Sequence, residues 1–191
     1  MLKRMCAALL VLALLAAGFA WAEGPADELP PTEPDAIAEK IEEAMGVYAW
    51  FTLWPLGGDL NEPLEEGVSE YYRVLDDRYD TRLKLAEFAL NYFSLEIVTE
   101  LFDRGVYQEK DGVLYVTDRF DIADENISSV TYELSEQGED YALYRANVTY
   151  QAGTPEEHVR AYDYRCERNE YGWVFTQFAF YWEGERSEED G

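Results

Sequence analysis

The hydrophobic pattern of this chain changes its period once, close to Gly105, and this change constrains the fold more than any other feature. Before Gly105, apolar residues recur at helical spacing. After it, apolar and polar residues alternate, as they do in half-buried strands. Helices followed by strands, with no βαβ alternation and no internal repeat, predict an α+β fold. We expect the N-terminal helices to pack on one face of a curved antiparallel sheet.

Three helices are predicted before Gly105. The first begins with Asp35 as its N-cap and ends before Pro55. Thr81 is predicted to cap the second helix and Ser94 the third, which ends at Gly105. The apolar face of the first helix consists of Ile37, Ile41, Ala44, Tyr48 and Phe51.

The strand signals are of three kinds. Residues 71–74 predict a short strand, and the pair Asp111-Gly112 predicts the turn of a hairpin. A meander of longer strands follows, and its last strand is predicted over residues 173–182. Both faces of this last strand are largely apolar, which indicates burial on both sides, a pocket or a partner surface. The earlier meander residues predicted to face the core are Val130, Tyr132, Leu134, Ala142, Tyr144, Ala146, Val148, Tyr150, Tyr162, Tyr164 and Cys166.

The first 22 residues have the pattern of a signal peptide. Lys3 and Arg4 precede an apolar run, and Ala20-Trp21-Ala22 supplies a cleavage pattern of small residues. We therefore expect cleavage after Ala22, secretion, and no stable membrane insertion after cleavage. A retained membrane anchor is the alternative that this segment leaves open.

The segments that flank the predicted domain have compositions that do not form a core. Residues 23–35 are acidic and rich in proline, which predicts a linker. Residues 183–191 are acidic and lack large apolar side chains, which predicts a disordered tail. A single α+β domain is expected between them, over residues 36–182.

The charge of the chain excludes some classes of partner. Asp and Glu number 40 against 15 Lys and Arg, a formal net charge of −25. A nucleic-acid binder needs the opposite sign, so we expect no nucleic-acid partner. Two cysteines and one histidine provide no zinc-ligand cluster, and we expect neither a metal nor a cofactor.

No catalytic motif is present. Cleavage of the signal peptide would remove Cys6 and leave Cys166, which is predicted to be a small buried side chain, with a reactive thiol as the alternative. His158 has no nucleophile assigned to it and is predicted to have a surface or capping role. With 40 carboxylates, no acid–base pair can be singled out. We expect a non-enzymatic protein.

The loop between the hairpin and the meander is the first candidate site. It is an acidic segment that contains two apolar residues and no glycine. It is either a solvated connection or a recognition loop with an apolar tip and an acidic rim. The candidate partner-binding residues are Asp118, Phe120, Asp121, Ile122, Asp124 and Glu125.

The inner face of the meander is the second candidate site. An alternative function is a small-ligand-binding roll with an apolar pocket lined by Tyr132, Tyr144, Tyr162 and Phe178. Tryptophans are predicted mainly to cover the core, and a sugar-stacking surface is the other interpretation. These tryptophans are Trp50, Trp54, Trp173 and Trp182.

Four segments, in their linear order, carry a resemblance to a known family. They are Tyr71-Tyr72-Arg73-Val74, the helix from Thr81 to Ser94, the hairpin Tyr107-Gln108-Glu109-Lys110-Asp111-Gly112-Val113-Leu114-Tyr115, and Gly172-Trp173-Val174-Phe175-Thr176-Gln177-Phe178. The chain resembles the IseA-type DL-endopeptidase inhibitors, exported proteins of Gram-positive bacteria that block Cys-His peptidoglycan hydrolases. The resemblance implies a cystatin-like roll, as in nuclear-transport-factor-like domains, and inhibition of a cell-wall endopeptidase.

The negative charge agrees with this expectation. Anionic wall polymers would repel the chain, whereas a cationic wall hydrolase would be attracted to it because opposite potentials raise the rate of encounter. We therefore expect a protein partner, a cationic cell-wall hydrolase. The alternative is that the charge serves only solubility.

Overall fold

The computed structural model describes residues 30–65, 70–118, 126–169 and 172–182. This part of the chain contains three helices and eight strands. The helices are α1 (Pro34–Ala49), α2 (Arg82–Ala89) and α3 (Leu95–Asp103). The strands are β1 (Gly58–Pro63), β2 (Tyr71–Val74), β3 (Tyr107–Lys110), β4 (Val113–Thr117), β5 (Ile127–Gln137), β6 (Tyr141–Tyr150), β7 (His158–Asn169) and β8 (Gly172–Gln177). Within these ranges, no helix is both long and apolar enough to cross a membrane.

The strands form two antiparallel sheets of four strands each, which confirms the α+β class. The first sheet has the order β1-β2-β4-β3 and the second is the meander β5-β6-β7-β8. The sequence predicted one sheet. The difference arises because β2 and β3 occupy both edges of β4, so the strand that follows β4 cannot pair with it.

Two of the three predicted helix caps are confirmed, Thr81 and Ser94. The Thr81 hydroxyl accepts a hydrogen bond from the Lys84 N–H at 3.2 Å, and the Ser94 hydroxyl accepts one from the Ile97 N–H at 3.4 Å. Each cap satisfies a backbone donor that the first turn of a helix leaves unpaired. Gly105 follows α3 with φ +81°, the left-handed conformation that favours glycine at this position.

The predicted hairpin turn is also confirmed. Lys110 pairs with Val113, so Asp111 and Gly112 form a two-residue loop. Both have positive φ, +54° and +77°, as this type of turn requires. The short strand predicted over residues 71–74 is confirmed as β2.

Strand β1 has no counterpart among the predictions. Its sequence, Gly58-Asp59-Leu60-Asn61-Glu62-Pro63, lacks alternation of apolar residues. It forms because β2 offers an edge to pair with. Gly58 permits β1 to approach β2 closely, since a Cβ at position 58 would lie only 2.9 Å from the Tyr72 Cβ.

Two boundaries of α1 were predicted wrongly. The helix begins at Pro34, with Glu33 at the N-cap, and not after Asp35. Proline fixes φ near the helical value and needs no hydrogen-bond donor in the first turn, so it extends the helix at this end. The helix ends at Ala49, and the N–H groups of Leu53 and Trp54 both donate to the Ala49 carbonyl in the turns that follow.

The last strand ends at Gln177 and not at residue 182. Residues 178–182 leave the sheet and pack against the core instead. The apolar character on both faces of the predicted strand therefore has two causes. The first part belongs to β8, and the second part contributes aromatic rings from an irregular segment.

The core of the second sheet follows the predicted alternation. Every second residue of β6 is buried: Ala142, Tyr144, Ala146, Val148 and Tyr150. Helix α1 lies against β5 and buries Ile37, Ile41 and Met45. The helices thus cover the inner face of the second sheet, and its outer face stays partly exposed.

The edge of β8 is covered by the connection between α2 and α3. The Ser94 N–H donates to the Phe175 carbonyl at 2.8 Å, and the Phe175 N–H donates to the Tyr92 carbonyl at 2.8 Å. Lys40 on α1 donates to the Trp173 carbonyl at 3.1 Å. Two backbone hydrogen bonds and one from the Lys40 side chain thus join the helical part of the chain to the second sheet.

Candidate functional site

The predicted recognition loop lies mostly outside the described residues. Phe120, Asp121, Ile122, Asp124 and Glu125 are not described, and their role stays a prediction. Asp118 is described. It is exposed at the end of β4, and its N–H donates to the Glu70 carbonyl at 3.1 Å.

The residues predicted to line a pocket lie together on the inner face of the second sheet. Tyr132 and Tyr162 flank Ala146 in register, and Tyr144 lies two residues away from Ala146 on the same strand. Phe178 reaches this face from the irregular segment after β8, where its ring contacts Tyr164 at 5.2 Å. The sequence therefore grouped four residues that the fold also brings together.

Two pairs of tyrosine hydroxyls bond to each other at this face. The Tyr132 and Tyr181 hydroxyls are 2.6 Å apart, and Tyr132 also donates to a Glu42 carboxylate oxygen at 3.4 Å. The Tyr150 and Tyr162 hydroxyls are 2.8 Å apart. Burial and the hydrogen bond with Tyr181 raise the pKa of Tyr132 above its usual value. The first pair holds residues 178–182 against the sheet.

Two further tyrosines are buried differently. The Tyr144 and Tyr164 hydroxyls are inaccessible and have no hydrogen-bond partner among the described residues. Burial raises the pKa of both. Since the rings on this face pack against one another and against residues 178–182, the packing favours a structural role for them. The apolar ligand pocket stays a prediction that these contacts do not support.

Removal of a hydrogen-bonded tyrosine hydroxyl and removal of an unpaired one should change the free energy of unfolding differently. We expect Tyr181→Phe to lower the free energy of unfolding by about 1 kcal/mol, because it removes a buried hydrogen bond. We expect Tyr164→Phe to leave stability unchanged or raise it by up to about 1 kcal/mol, because it removes a buried polar group without a partner. Urea denaturation of the two variants and the unsubstituted protein measures both. Equal destabilisation by the two substitutions would contradict this account of the inner face.

Cys166 and His158 are the thiol and the imidazole that could form a catalytic Cys-His pair. Both lie on β7, but they are far apart. Cys166 is fully buried, as predicted, and burial raises the pKa of its thiol to about 11. His158 is exposed, and its ring stacks on Tyr150 at 5.0 Å. Eight residues along β7 separate the two, a distance of about 26 Å. They form no Cys-His pair, and His158 lies at the surface, as predicted.

The buried thiol should make stability depend on alkaline pH. The unfolded state releases the Cys166 proton near its ordinary pKa of 9.0, whereas the folded state keeps it up to about 11. Stability from this group is complete below pH 9 and falls as the pH rises from 9 towards 11. Between pH 7.5 and pH 10 the loss due to Cys166 should be about 1 kcal/mol.

The control for this effect is Cys166→Ala, measured by urea denaturation at both pH values. The variant should lose about 1 kcal/mol less than the unsubstituted protein over the same interval, since no thiol remains to ionise. The tyrosines contribute equally to both proteins and therefore cancel. An identical pH dependence of the two proteins would show that Cys166 ionises as easily in the folded state as in the unfolded state.

The exposed charges on two helices are all negative. On α1 the outward charged residues are acidic, and Lys40 turns away from them towards the Trp173 carbonyl and the Phe175 ring. The outward charges of α3 are acidic as well. These carboxylates are Asp35, Glu39, Glu42 and Glu43 on α1 and Glu96, Glu100 and Asp103 on α3. In the described part of the chain, no group of three or more His, Cys, Asp or Glu residues is arranged to hold a metal ion.

A row of aromatic rings lies at the end of α1. Trp54 contacts Trp182 with ring centroids 5.4 Å apart, Trp182 contacts Phe180 at 5.8 Å, and Phe180 stacks on Tyr48 at 4.6 Å. We call these four residues the aromatic row. Sequence reasoning singled out both tryptophans but could not pair them, because they come from opposite ends of the domain. The one available signal was the excess of aromatic residues after β8.

The other two predicted tryptophans are packed into the molecule. Trp50 stacks on Phe88 at 5.3 Å, and Trp173 packs against the core from β8. Trp54, in contrast, is 54% exposed, and among the described residues it is the only Phe, Tyr or Trp that is exposed. Most tryptophans thus cover the core, as predicted, and Trp54 is the exception.

No family model matches this chain, and no curated protein matches it.

Proposed function

We propose that this chain is an exported, non-enzymatic binding protein that inhibits a cationic Cys-His DL-endopeptidase of the bacterial cell wall. The observation that carries the proposal is the acidic outward surface of α1 and α3. A surface of one sign attracts partners of the opposite sign and repels others of its own sign. The net charge of −25 extends this preference over the whole chain.

The positions of the chemical groups support binding over catalysis. Cys166 is enclosed in the core with a raised pKa, so its thiol is neither ionised nor accessible near neutral pH. His158 lies at the other end of the same strand. These positions support inhibition by binding, in which the chain would occupy the cleft of the hydrolase.

The resemblance to the IseA-type inhibitors names the class of hydrolase. The four segments that carry it fall on β2, on α2 with its connection to α3, on the β3–β4 hairpin and on β8. In this proposal the loop after Asp118 contributes to contact, with Phe120 and Ile122 as an apolar tip. The carboxylates of the helices and the loop provide long-range attraction to basic residues around the cleft.

The first test is inhibition itself. The full chain, produced with its own leader segment and purified after export, is titrated into a peptidoglycan digestion by purified Cys-His endopeptidases. We expect hydrolysis to fall with increasing protein and to stop near one equivalent, because the inhibitor occupies the cleft. Release of soluble muropeptides measures the reaction.

The control for this test is a cationic cell-wall glycosidase, which has the same charge but a different active site. It should keep its activity. Equal inhibition of both enzymes would indicate unspecific charge attraction, and undiminished endopeptidase activity at micromolar excess would refute the proposed function.

The second test addresses the acidic helix surface. The double variant Glu39→Gln, Glu43→Gln should bind the endopeptidase with a slower association rate, by about threefold at low salt, and with a weaker salt dependence. Its dissociation rate should change little, since exposed charges act mainly on encounter. Biolayer interferometry at several ionic strengths measures both rates.

A matched variant removes the same charge elsewhere. Glu139→Gln with Asp140→Asn, in the hairpin between β5 and β6, should slow association less than the α1 variant. If neither variant changes the association rate at low salt, the acidic surface has no part in recognition.

A further inference from the structure

One residue of the aromatic row, Trp54, stays more than half exposed in the folded chain. We propose that Trp54, backed by Trp182, anchors a docking surface for a basic segment of a protein partner. This inference rests on the proposed function and adds to it the surface through which the partner is held. It places the anchor at the end of α1 and not in the loop after Asp118.

Trp54 is held in place although it is exposed. Its N–H donates to the Ala49 carbonyl at 2.8 Å, which fixes the backbone in the turn after α1. Its ring contacts the ring of Trp182, with the centroids 5.4 Å apart and an angle of 55° between the planes. A side chain fixed in this way loses little conformational freedom when a partner covers it, which is the condition for an efficient anchor.

The residues around Trp54 are of the types that dominate protein interfaces. Trp, Tyr and Arg are the residues that most often carry binding energy between proteins. The row contains Trp54, Trp182 and Tyr48, and Arg104 donates to the Tyr48 hydroxyl at 2.8 Å with its guanidinium 5.2 Å from the ring centre. The row thus continues into a polar margin, as a typical docking surface does.

The arrangement of the rings favours a protein over a glycan. A sugar ring stacks on the open face of an aromatic ring, so a glycan platform presents several open faces in a row. In the aromatic row, Phe180 covers Tyr48, with 26° between the planes, and Trp182 meets Phe180 at 64°. Phe178 also stacks on Tyr48, at 5.5 Å, so neighbouring rings cover Tyr48, and the exposed ring of the row is that of Trp54.

Arg104 is a cation at the Tyr48 end of the row, and the charges of α1, which leads to the Trp54 end, indicate a basic partner. The outward face of α1, the helix that leads to Trp54, carries only acidic charges. In the sequence, Trp182 is followed directly by residues 183–191, which hold five acidic residues and one arginine. A partner arginine or lysine over the Trp54 face would gain a cation–π contact, and the acidic face of α1 would attract it at longer range. The described residues already make six cation–π contacts with one another.

The test compares Trp54→Ala with the unsubstituted full chain in binding to a purified Cys-His endopeptidase. Affinity should fall by at least about 30-fold, the effect of an interface hot spot. The loss should come from faster dissociation, while the association rate and its salt dependence stay the same. Trp54→Phe keeps an aromatic ring and should retain most of the affinity. Biolayer interferometry gives the rates, and inhibition is measured separately.

Val159→Ala is the matched control, because Val159 is also a large apolar residue, 60% exposed, but lies at the start of β7. It should bind like the unsubstituted protein. Thermal unfolding of all variants shows whether they are folded. Since Trp54 is more than half exposed, Trp54→Ala should keep a melting temperature within a few degrees.

The outcomes separate this inference from the proposed function. Unchanged binding by Trp54→Ala, with binding lost instead in the Phe120→Ala, Ile122→Ala double variant, overturns the inference and leaves inhibition intact. Binding that depends on Trp54 without any inhibition supports the inference and overturns the proposed function. Absence of binding overturns both. Trp54-dependent fluorescence quenching by soluble peptidoglycan glycan strands, with no binding to the enzyme, would assign the row to a glycan and also overturn the inference.

Discussion

The backbone pairing between residues 92–94 and β8 is the constraint on which the rest of the structure depends. Ser94 takes part twice: its N–H bonds to β8 and its hydroxyl caps α3. The start of α3 is therefore set by the sheet edge. The ring of Phe93 lies 5.0 Å from that of Phe178, the first residue after β8. This contact and the Tyr132–Tyr181 hydroxyl pair together hold residues 178–182, and with them the aromatic row, against the core.

Positive charges are scarce in this protein, and the fold directs several of them to aromatic rings. A cation over a ring is stabilised by the ring's electron density. Arg78 and Arg165 also pair with carboxylates, whereas Lys40 bonds to a backbone carbonyl. In the described part of the chain, six cations lie over rings: Lys40 with Phe175, Arg78 with Tyr79, Arg82 with Phe102, Arg104 with Tyr48, Arg160 with Tyr150, and Arg165 with Tyr141. The cations of the described residues thus contribute to the ring packing as well as to ion pairs at the surface.

Local signals made much of the fold predictable. The caps Thr81 and Ser94 and the turn Asp111-Gly112 depend on the residues themselves, and the structure has all three. Strand β1 was not predictable, because pairing with β2 and not its own pattern makes it extended. The end of β8 was missed for a related reason: burial by an irregular segment gives the same apolar sequence as burial in a strand.

The candidate sites were likewise predictable only where the local sequence determines them. The inner tyrosines were grouped correctly because alternation along a strand fixes the face of each residue. Their hydroxyl pairing was not visible, since Tyr181 belongs to the irregular segment after β8. The contact of Trp54 with Trp182 joins the two ends of the domain, and no spacing along the sequence encodes it.

Strand β1 lies at the edge of its sheet and carries Leu60, which is 71% exposed. An open sheet edge with an exposed apolar side chain can pair with the same edge of a second copy, which leads to aggregation. Here Asp59 and Glu62 flank Leu60 on the same strand. Glu62 pairs with Arg73 of the neighbouring strand at 3.0 Å, so the repulsion between two such edges comes mainly from the net charge of −25 on each copy. The acidity of the chain therefore also acts as protection against self-association, so sequence changes that neutralise it would be limited by solubility before they affected the fold.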